Sequence, residues 1–382
     1  MLLSTTSWTT AAFWLLGLVN NIPYVIMIAG AKDINAGGVG LIYVSEVAPS
    51  LIIQLSGPYW FQLVSYRTRL HVAAACMLMS FLTVVMGFRG SLWLQLLGVC
   101  FNGIQSAIGE SSLLASTALF DDSRLCLTAW SSGTGFAGVA GFAWVTIFTS
   151  FASLQTTLLL ALIFPAIYVA VFECMLPPMA LNRAAEAEEA IPLVAKKQVG
   201  LSEGLRLTVG LWPYMLPLVL VYAAEYAMMT GTWAAIGFPL QDPAARELFY
   251  RYAGFIYQIG VFVARSSGTW LRVRRCSLLV LSLLQVGFCA FFWTVAQYQV
   301  FYNWGLLLPC FVVGCIGGLV YVNAFTLLSD EVDQHTEFAL AAASVSMNTG
   351  VLVADIAGLW IQGCLYSMHR LAGATIQVDC HV

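Results

Sequence analysis

The chain has 382 residues, of which 60% are hydrophobic and 9% charged, with a formal net charge of −3. An average soluble domain is about a quarter charged, so most of this surface cannot face water. Composition excludes a soluble globular protein, and apolar runs of membrane-crossing length along nearly the whole chain exclude a single-anchor design.

Eleven spans are expected, at about 8–30, 38–57, 70–88, 91–119, 125–149, 154–177, 208–231, 247–265, 276–296, 299–328 and 338–366. The segment MLLSTTS has no basic side chain and no small-residue cleavage site follows it, so the first span reads as a retained helix. That span carries Asn20 and Asn21, and Lys32 follows it. Span 2 (LIYVSEVAPSLIIQL) holds Glu46 near its middle, and span 4 (SAIGESSLLAS) holds Glu110. In span 5 (WSSGTGFAGVAG), Gly133, Ala137 and Gly141 recur every fourth residue and form a smooth face for close helix packing.

Between spans 6 and 7 the stretch 177–206 is the densest charge run of the protein and reads as a linker between two helical bundles. The expected organisation is a six-helix bundle (1–177), a cytosolic linker (178–207), a five-helix bundle (208–366) and a short tail (367–382). Span 7 (VYAAEYAMMTG) carries Glu225, and span 8 carries Gln258 and ends on Arg265. Span 10 repeats the small-residue device with Gly314 and Gly318, adds Tyr321 and Asn323, and contains Pro309, which suggests tilting or a local break. In span 11, Asp355 shares one helix face with Ser344, Asn348 and Gln362.

The placement of the sixteen Lys and Arg residues sets orientation. With the N-terminus in the cytosol, eleven fall on cytosolic loops or helix ends, and Lys32, Arg89, Arg246, Arg251 and Arg370 fall on the other side. The odd span count then places the C-terminus across the membrane. The ten cysteines are scattered, with no close pair at metal spacing and no framework of the kind small secreted domains use. No metal, cofactor or nucleic-acid partner is expected, and no nucleophile motif or phosphate-binding glycine loop marks an enzyme.

A charge buried in a bilayer costs at least about 2.5 kcal/mol, so each intramembrane acid needs a partner, a cavity or a proton. One assumption accounts for Glu46, Glu110, Glu225 and Asp355 together: a shared aqueous chamber between the bundles. Each could instead bond its helix to a neighbour. The candidate cations are Lys32 and Arg265, with snorkelling to the headgroups the other reading of Arg265. Asn21 and Asn348 complete the candidate set for a small polar metabolite or protons.

The basic loops GPYWFQLVSYRTRL and ARSSGTWLRVRR occupy corresponding places in the two halves and resemble a degenerate loop motif of the major facilitator superfamily, without its usual acidic residue. The blocks FWLLGLVNNIPYVIM, EVAPSLIIQL, IGESSLLASTALF, AWSSGTGFAGVAG, LVLVYAAEYAMMTG, YQIGVFVARSS, GGLVYVNAF and SDEVDQHTEFALAAASVS carry a wider resemblance, to the battenin family. That family groups the lysosomal and vacuolar membrane proteins linked to neuronal ceroid lipofuscinosis. The resemblance implies a major-facilitator-like all-α fold, export of glycerophosphodiesters from lysosomes, effects on luminal pH, and links to basic amino acids such as arginine. A non-transporting membrane scaffold in lysosomal trafficking is the contrasting reading.

EAEEAIPLV resembles the family's acidic dileucine sorting signal, with Glu189, Leu193 and Val194 at its positions, and would address sorting adaptors. The vertebrate prenylation box is not matched, because only His381 and Val382 follow Cys380.

Overall fold

The computed structural model describes residues 3–117, 119–176, 209–268, 270–332, 336–378 and 380. The linker 178–207, with Glu189, Leu193 and Val194, lies outside them. The described residues form thirteen α-helices: α1 (Ser7–Ala29), α2 (Ala31–Asn35), α3 (Val39–Trp60), α4 (Tyr66–Gly87), α5 (Leu92–Thr117), α6 (Ser123–Thr149), α7 (Leu154–Leu160), α8 (Ile163–Met175), α9 (Trp212–Ala227), α10 (Pro243–Arg265), α11 (Arg275–Tyr298), α12 (Leu307–Glu331) and α13 (Thr336–Met368). With α7 and α8 counted as one crossing and α2 as a surface turn, they make eleven crossings among the described residues. Eight of these are long and apolar enough to cross a membrane on length and hydropathy alone. The other three are α6, α9 and α10. Gly, Ser and Thr dilute α6, α9 is cut short at Ala227, and α10 carries four charges.

Local chemistry sets the ends and breaks. Asp122, Ser65 and Asp242 cap their helices by accepting from the backbone N–H groups of Leu125, Thr68 and Ala244. The sixth crossing breaks at Ala161–Leu162 because Pro165 has no N–H to return to the Ala161 carbonyl; Phe164 N–H bonds that carbonyl at 3.0 Å instead. Pro309 produces no comparable break, since it lies in the first turn of α12, where a missing N–H costs nothing. The seventh crossing continues past α9 as a π turn (Met228–Thr232) and a 3-10 turn (Trp233–Ala235). There Thr230 and Thr232 bond back to the Tyr226 and Met228 carbonyls at 2.8 and 3.1 Å.

The fold is an all-α, two-bundle, major-facilitator-like arrangement. In the first half α1 packs on α6 and α3 on α5; in the second, α9 packs on α13 and α10 on α12. The halves meet along two seams, α3 against α13 and α6 against α10. Glycine makes the tight crossings possible: a Cβ on Gly133 would sit 2.0 Å from the Trp14 carbonyl oxygen, and one on Gly314 2.0 Å from that of Tyr257. Gly314→Ala is therefore expected to push α12 off α10 and cost about 1–3 kcal/mol. A lowered thermal midpoint, followed by tryptophan fluorescence, checks this.

We call the face that bears the N-terminus of α1 the basic face and the opposite one the distal face. The tail returns along the distal face, where Thr375 N–H donates to the Gly37 carbonyl at 2.8 Å and a disulfide joins Cys364 of α13 to Cys380. The tail thus spans from the second half to the α1–α3 connection of the first. Scattered cysteines gave no sign of this bridge, because its two partners meet only through the turn after α13.

Candidate functional site

A cavity of about 90 Å³, room for roughly six waters, lies between the halves. Its walls come from α1, α3, α5 and α6 on one side and α9, α10, α12 and α13 on the other. Five sequence candidates line it: Asn21, Glu46, Glu110, Arg265 and Asn348. Five tyrosines join them: Tyr24, Tyr222, Tyr226, Tyr257 and Tyr321.

Arg265 is the cation in the lining of this chamber. Its Nη1 donates to Thr134 Oγ1 at 2.8 Å and its Nη2 to Tyr222 OH at 2.9 Å, while the guanidinium lies 3.9 Å above the Tyr321 ring. Its Nε has no partner, and no carboxylate pairs with it among the described residues. The α10 terminus thus turns its arginine inward across the seam rather than outward to headgroups. A fork held by neutral partners, with two of its five N–H donors committed, suits an oxyanion.

Glu46 faces the same space and accepts from Asn102 Nδ2 at 3.1 and 3.2 Å. Glu110 is 9% exposed and lies one helix away, on α5. Asn21 faces the chamber, whereas the adjacent Asn20 is fully buried and fixed by Gln105 Nε2 at 2.9 Å and Tyr168 OH at 3.0 Å. Asn348 bridges the seam to Gln54 Oε1 at 2.8 Å, so the polar stripe of α13 faces α3 of the other half.

Three candidates lie elsewhere. Glu225 is buried outside the chamber lining: Tyr257 OH donates to its Oε1, and Gln285 Nε2 approaches its Oε2 at 3.4 Å. Gly317 makes this position possible, since a Cβ there would fall 2.1 Å from Oε2. Asp355 is fully buried on α13, outside the chamber lining. Lys32 is 7% exposed in the distal seam, where its Nζ donates to the Ala234 carbonyl at 2.9 Å. Burial, with the Arg246 guanidinium nearby, pushes its ammonium down to about 7.

The distal seam is closed over the chamber. Tyr24 OH donates to Tyr226 OH at 2.8 Å, Tyr43 OH and Tyr250 OH share a bond of 2.9 Å, and Tyr250 OH also donates to the Ile28 carbonyl at 3.0 Å. Outside this layer Arg251 pairs with Asp33 at 2.9 Å. On the basic face Arg124 meets Asp330 at 3.4 Å, and Ser132 meets Ser266 at 3.1 Å. Every one of these contacts joins one half to the other.

The tyrosines are the lining residues that sequence reasoning passed over, apart from Tyr321. A signal existed in the Tyr222–Tyr226 spacing of four, which puts both rings on one face of α9.

The arrangement has solved counterparts. The chain superposes on the E. coli fucose:proton symporter with a TM-score of 0.56 at 13% identity, covering 95% of this chain and 97% of that one. A D-xylose-proton symporter gives 0.57 at 12% identity, covering 97% and 98%. A bacterial homolog of the human lysosomal transporter Spinster gives 0.50 at 14%, covering 92% and 82%. At such identities the likeness is one of fold. Sequence relatives are nearer: Protein BTN1 of Yarrowia lipolytica is 31% identical over 92% of this chain and 93% of its own length. Protein BTN1 of Saccharomyces cerevisiae is 32% identical over 94% and 95%. The sequence model of the CLN3 protein family matches residues 11–201 and 181–368, and the chain belongs to that family.

Proposed function

We infer that this protein is a proton-linked carrier that exports glycerophosphodiesters from the lysosome or vacuole, with its basic face in the cytosol and its distal face in the lumen. The observation that carries the reading is Arg265, a cation lining the chamber and held there by neutral partners. A phosphodiester is anionic and presents two oxygens to such a fork. Glu46 and Glu110, among the tyrosine rings, offer a place for the cationic headgroup of a glycerophosphocholine. The Cys364–Cys380 bond on the distal face is consistent with an oxidising lumen there. Two of the solved structures of like fold are proton symporters. Motion of the two halves about the seams would alternate access, with either the distal layer or the basic-face contacts parting while the other holds.

The test is uptake into proteoliposomes under an imposed pH gradient, with glycerophosphocholine and arginine offered separately. The proposal expects saturable glycerophosphocholine uptake that collapses with the gradient. Uptake of arginine alone would replace it with a basic amino acid carrier, and uptake of neither would favour a scaffold.

A further inference from the structure

Asp355 is fully buried, and neither of its carboxyl oxygens has a hydrogen-bond or ion partner. The other three intramembrane acids are accounted for. Glu46 and Glu110 face the chamber, and Glu225 is held by Tyr257. Asp355 lies instead at the α3–α13 seam, where Gly40 packs directly on its backbone carbonyl. The titratable groups within its electrostatic reach are Tyr24 of α1, Tyr43 of α3, Tyr226 of α9 and Tyr250 of α10. These are the four tyrosines that close the distal face. No charged side chain of the surrounding helices contributes, and α5, α11 and α12 bring no titratable group to it among the described residues.

An ionised carboxylate there would be an unpaired charge sealed in a dry seam, which costs several kcal/mol. The layer leaves little to relieve it: the hydroxyls of Tyr24, Tyr43 and Tyr250 are committed to Tyr226, to each other and to the Ile28 carbonyl, and Tyr226, whose own proton is uncommitted, makes no bond to the carboxyl. Closure of the distal face and a charge on Asp355 are therefore in conflict.

We propose that Asp355 is a proton-binding site separate from the substrate chamber, loaded from the distal side when the tyrosine layer parts and occupied whenever that layer is closed. The step is a single protonation. A hydronium ion in distal water loses one O–H bond as a carboxylate oxygen gains it, so the negative charge disappears and neutral water is left. The site rests on the carrier reading above and supplies it with a proton whose binding is tied to one conformation. Chamber residues then remain free to meet substrate.

The experiment needs no substrate. Spin labels at Ser91→Cys and Val300→Cys, on exposed distal loops of the two halves, report their separation by double electron–electron resonance once the eight free cysteines are replaced. In the wild-type background the ratio of short to long distances is expected to fall about tenfold per pH unit through the transition, the slope of one linked proton. Asp355→Asn, neutral and of the same shape, is expected to stay short at every pH, and Asp355→Glu to regain the shift. An Asp355→Asn protein that keeps the wild-type response, or a wild-type protein with none, would overturn the site. So would loss of the response in Lys32→Met with retention in Asp355→Asn, since Lys32 is a titratable side chain that also bridges the distal seam. The predicted shift in a protein that transports neither test substrate would support the proton site while refuting the proposed cargo.

Discussion

Arg265→Ala should lower the transport efficiency for a glycerophosphodiester by about a hundredfold, the equivalent of about 3 kcal/mol lost from a charge-assisted contact. The fold should survive. Thr134 and Tyr222, the two groups that lose their donor, both line the chamber and can turn to water instead. Arg265→Lys keeps the charge but not the planar fork or the stacking on Tyr321, so it should recover only part of the loss. The specificity of the defect matters most. If the chamber admits arginine, removing a cation should leave arginine uptake intact or raise it, whereas a general folding defect would depress both. Initial-rate uptake of the two substrates by the same purified variant makes the comparison.

The crossings were legible because an apolar stretch in an otherwise balanced chain needs no tertiary information to be recognised, and the acids were legible for the converse reason. What the sequence did not carry is the direction in which each acid points. Glu46, Glu110, Glu225 and Asp355 satisfy one assumption of a shared chamber equally well on paper, yet only Glu46 and Glu110, both from the first half, reach it. The neighbour decides. Gly317 of α12 opens a niche for Glu225 and Tyr257 bonds it there, so an acid on the right helix at the right depth lies outside the lining. Asp355 shares its stripe with Asn348 and Gln362, but the stripe bonds Gln54 of α3 and the Ala36 carbonyl before it, and Asn348 is its member in the chamber lining. Chamber tyrosines escaped notice because aromatic residues are ordinary constituents of any apolar run. The tail escaped it because its hold on Gly37 and Cys364 is made by residues far apart in the chain.

Glu225→Leu should destabilise the second bundle by about 3 kcal/mol, measured as a lower thermal midpoint, because it strands two groups that the carboxyl now serves. Tyr257 OH donates to Oε1, and Gln285 Nε2 approaches Oε2 while also reaching the Val313 carbonyl at 3.1 Å. Together these groups tie α9, α10, α11 and α12 at one depth, with Gly317 admitting the carboxyl between them. Tyr257→Phe alone should cost about 1–3 kcal/mol, since it leaves a buried carboxyl short of its principal donor. The double variant should be more stable than the sum of the two losses predicts, because replacing both partners of a buried bond by apolar groups removes the unsatisfied atoms as well as the bond. Strict additivity would mean that the contact contributes nothing and that Glu225 is held by burial alone. Gly317→Ala gives an independent reading of the same niche: its new Cβ would occupy the place of Oε2 and should reproduce much of the Glu225→Leu loss without removing a polar atom. Transport then separates structure from chemistry. The Tyr257 hydroxyl is committed to Glu225, and Phe keeps the ring at this lining position. Residual transport in Tyr257→Phe should therefore show an unchanged KM, with the loss confined to the rate at which the half-bundle moves.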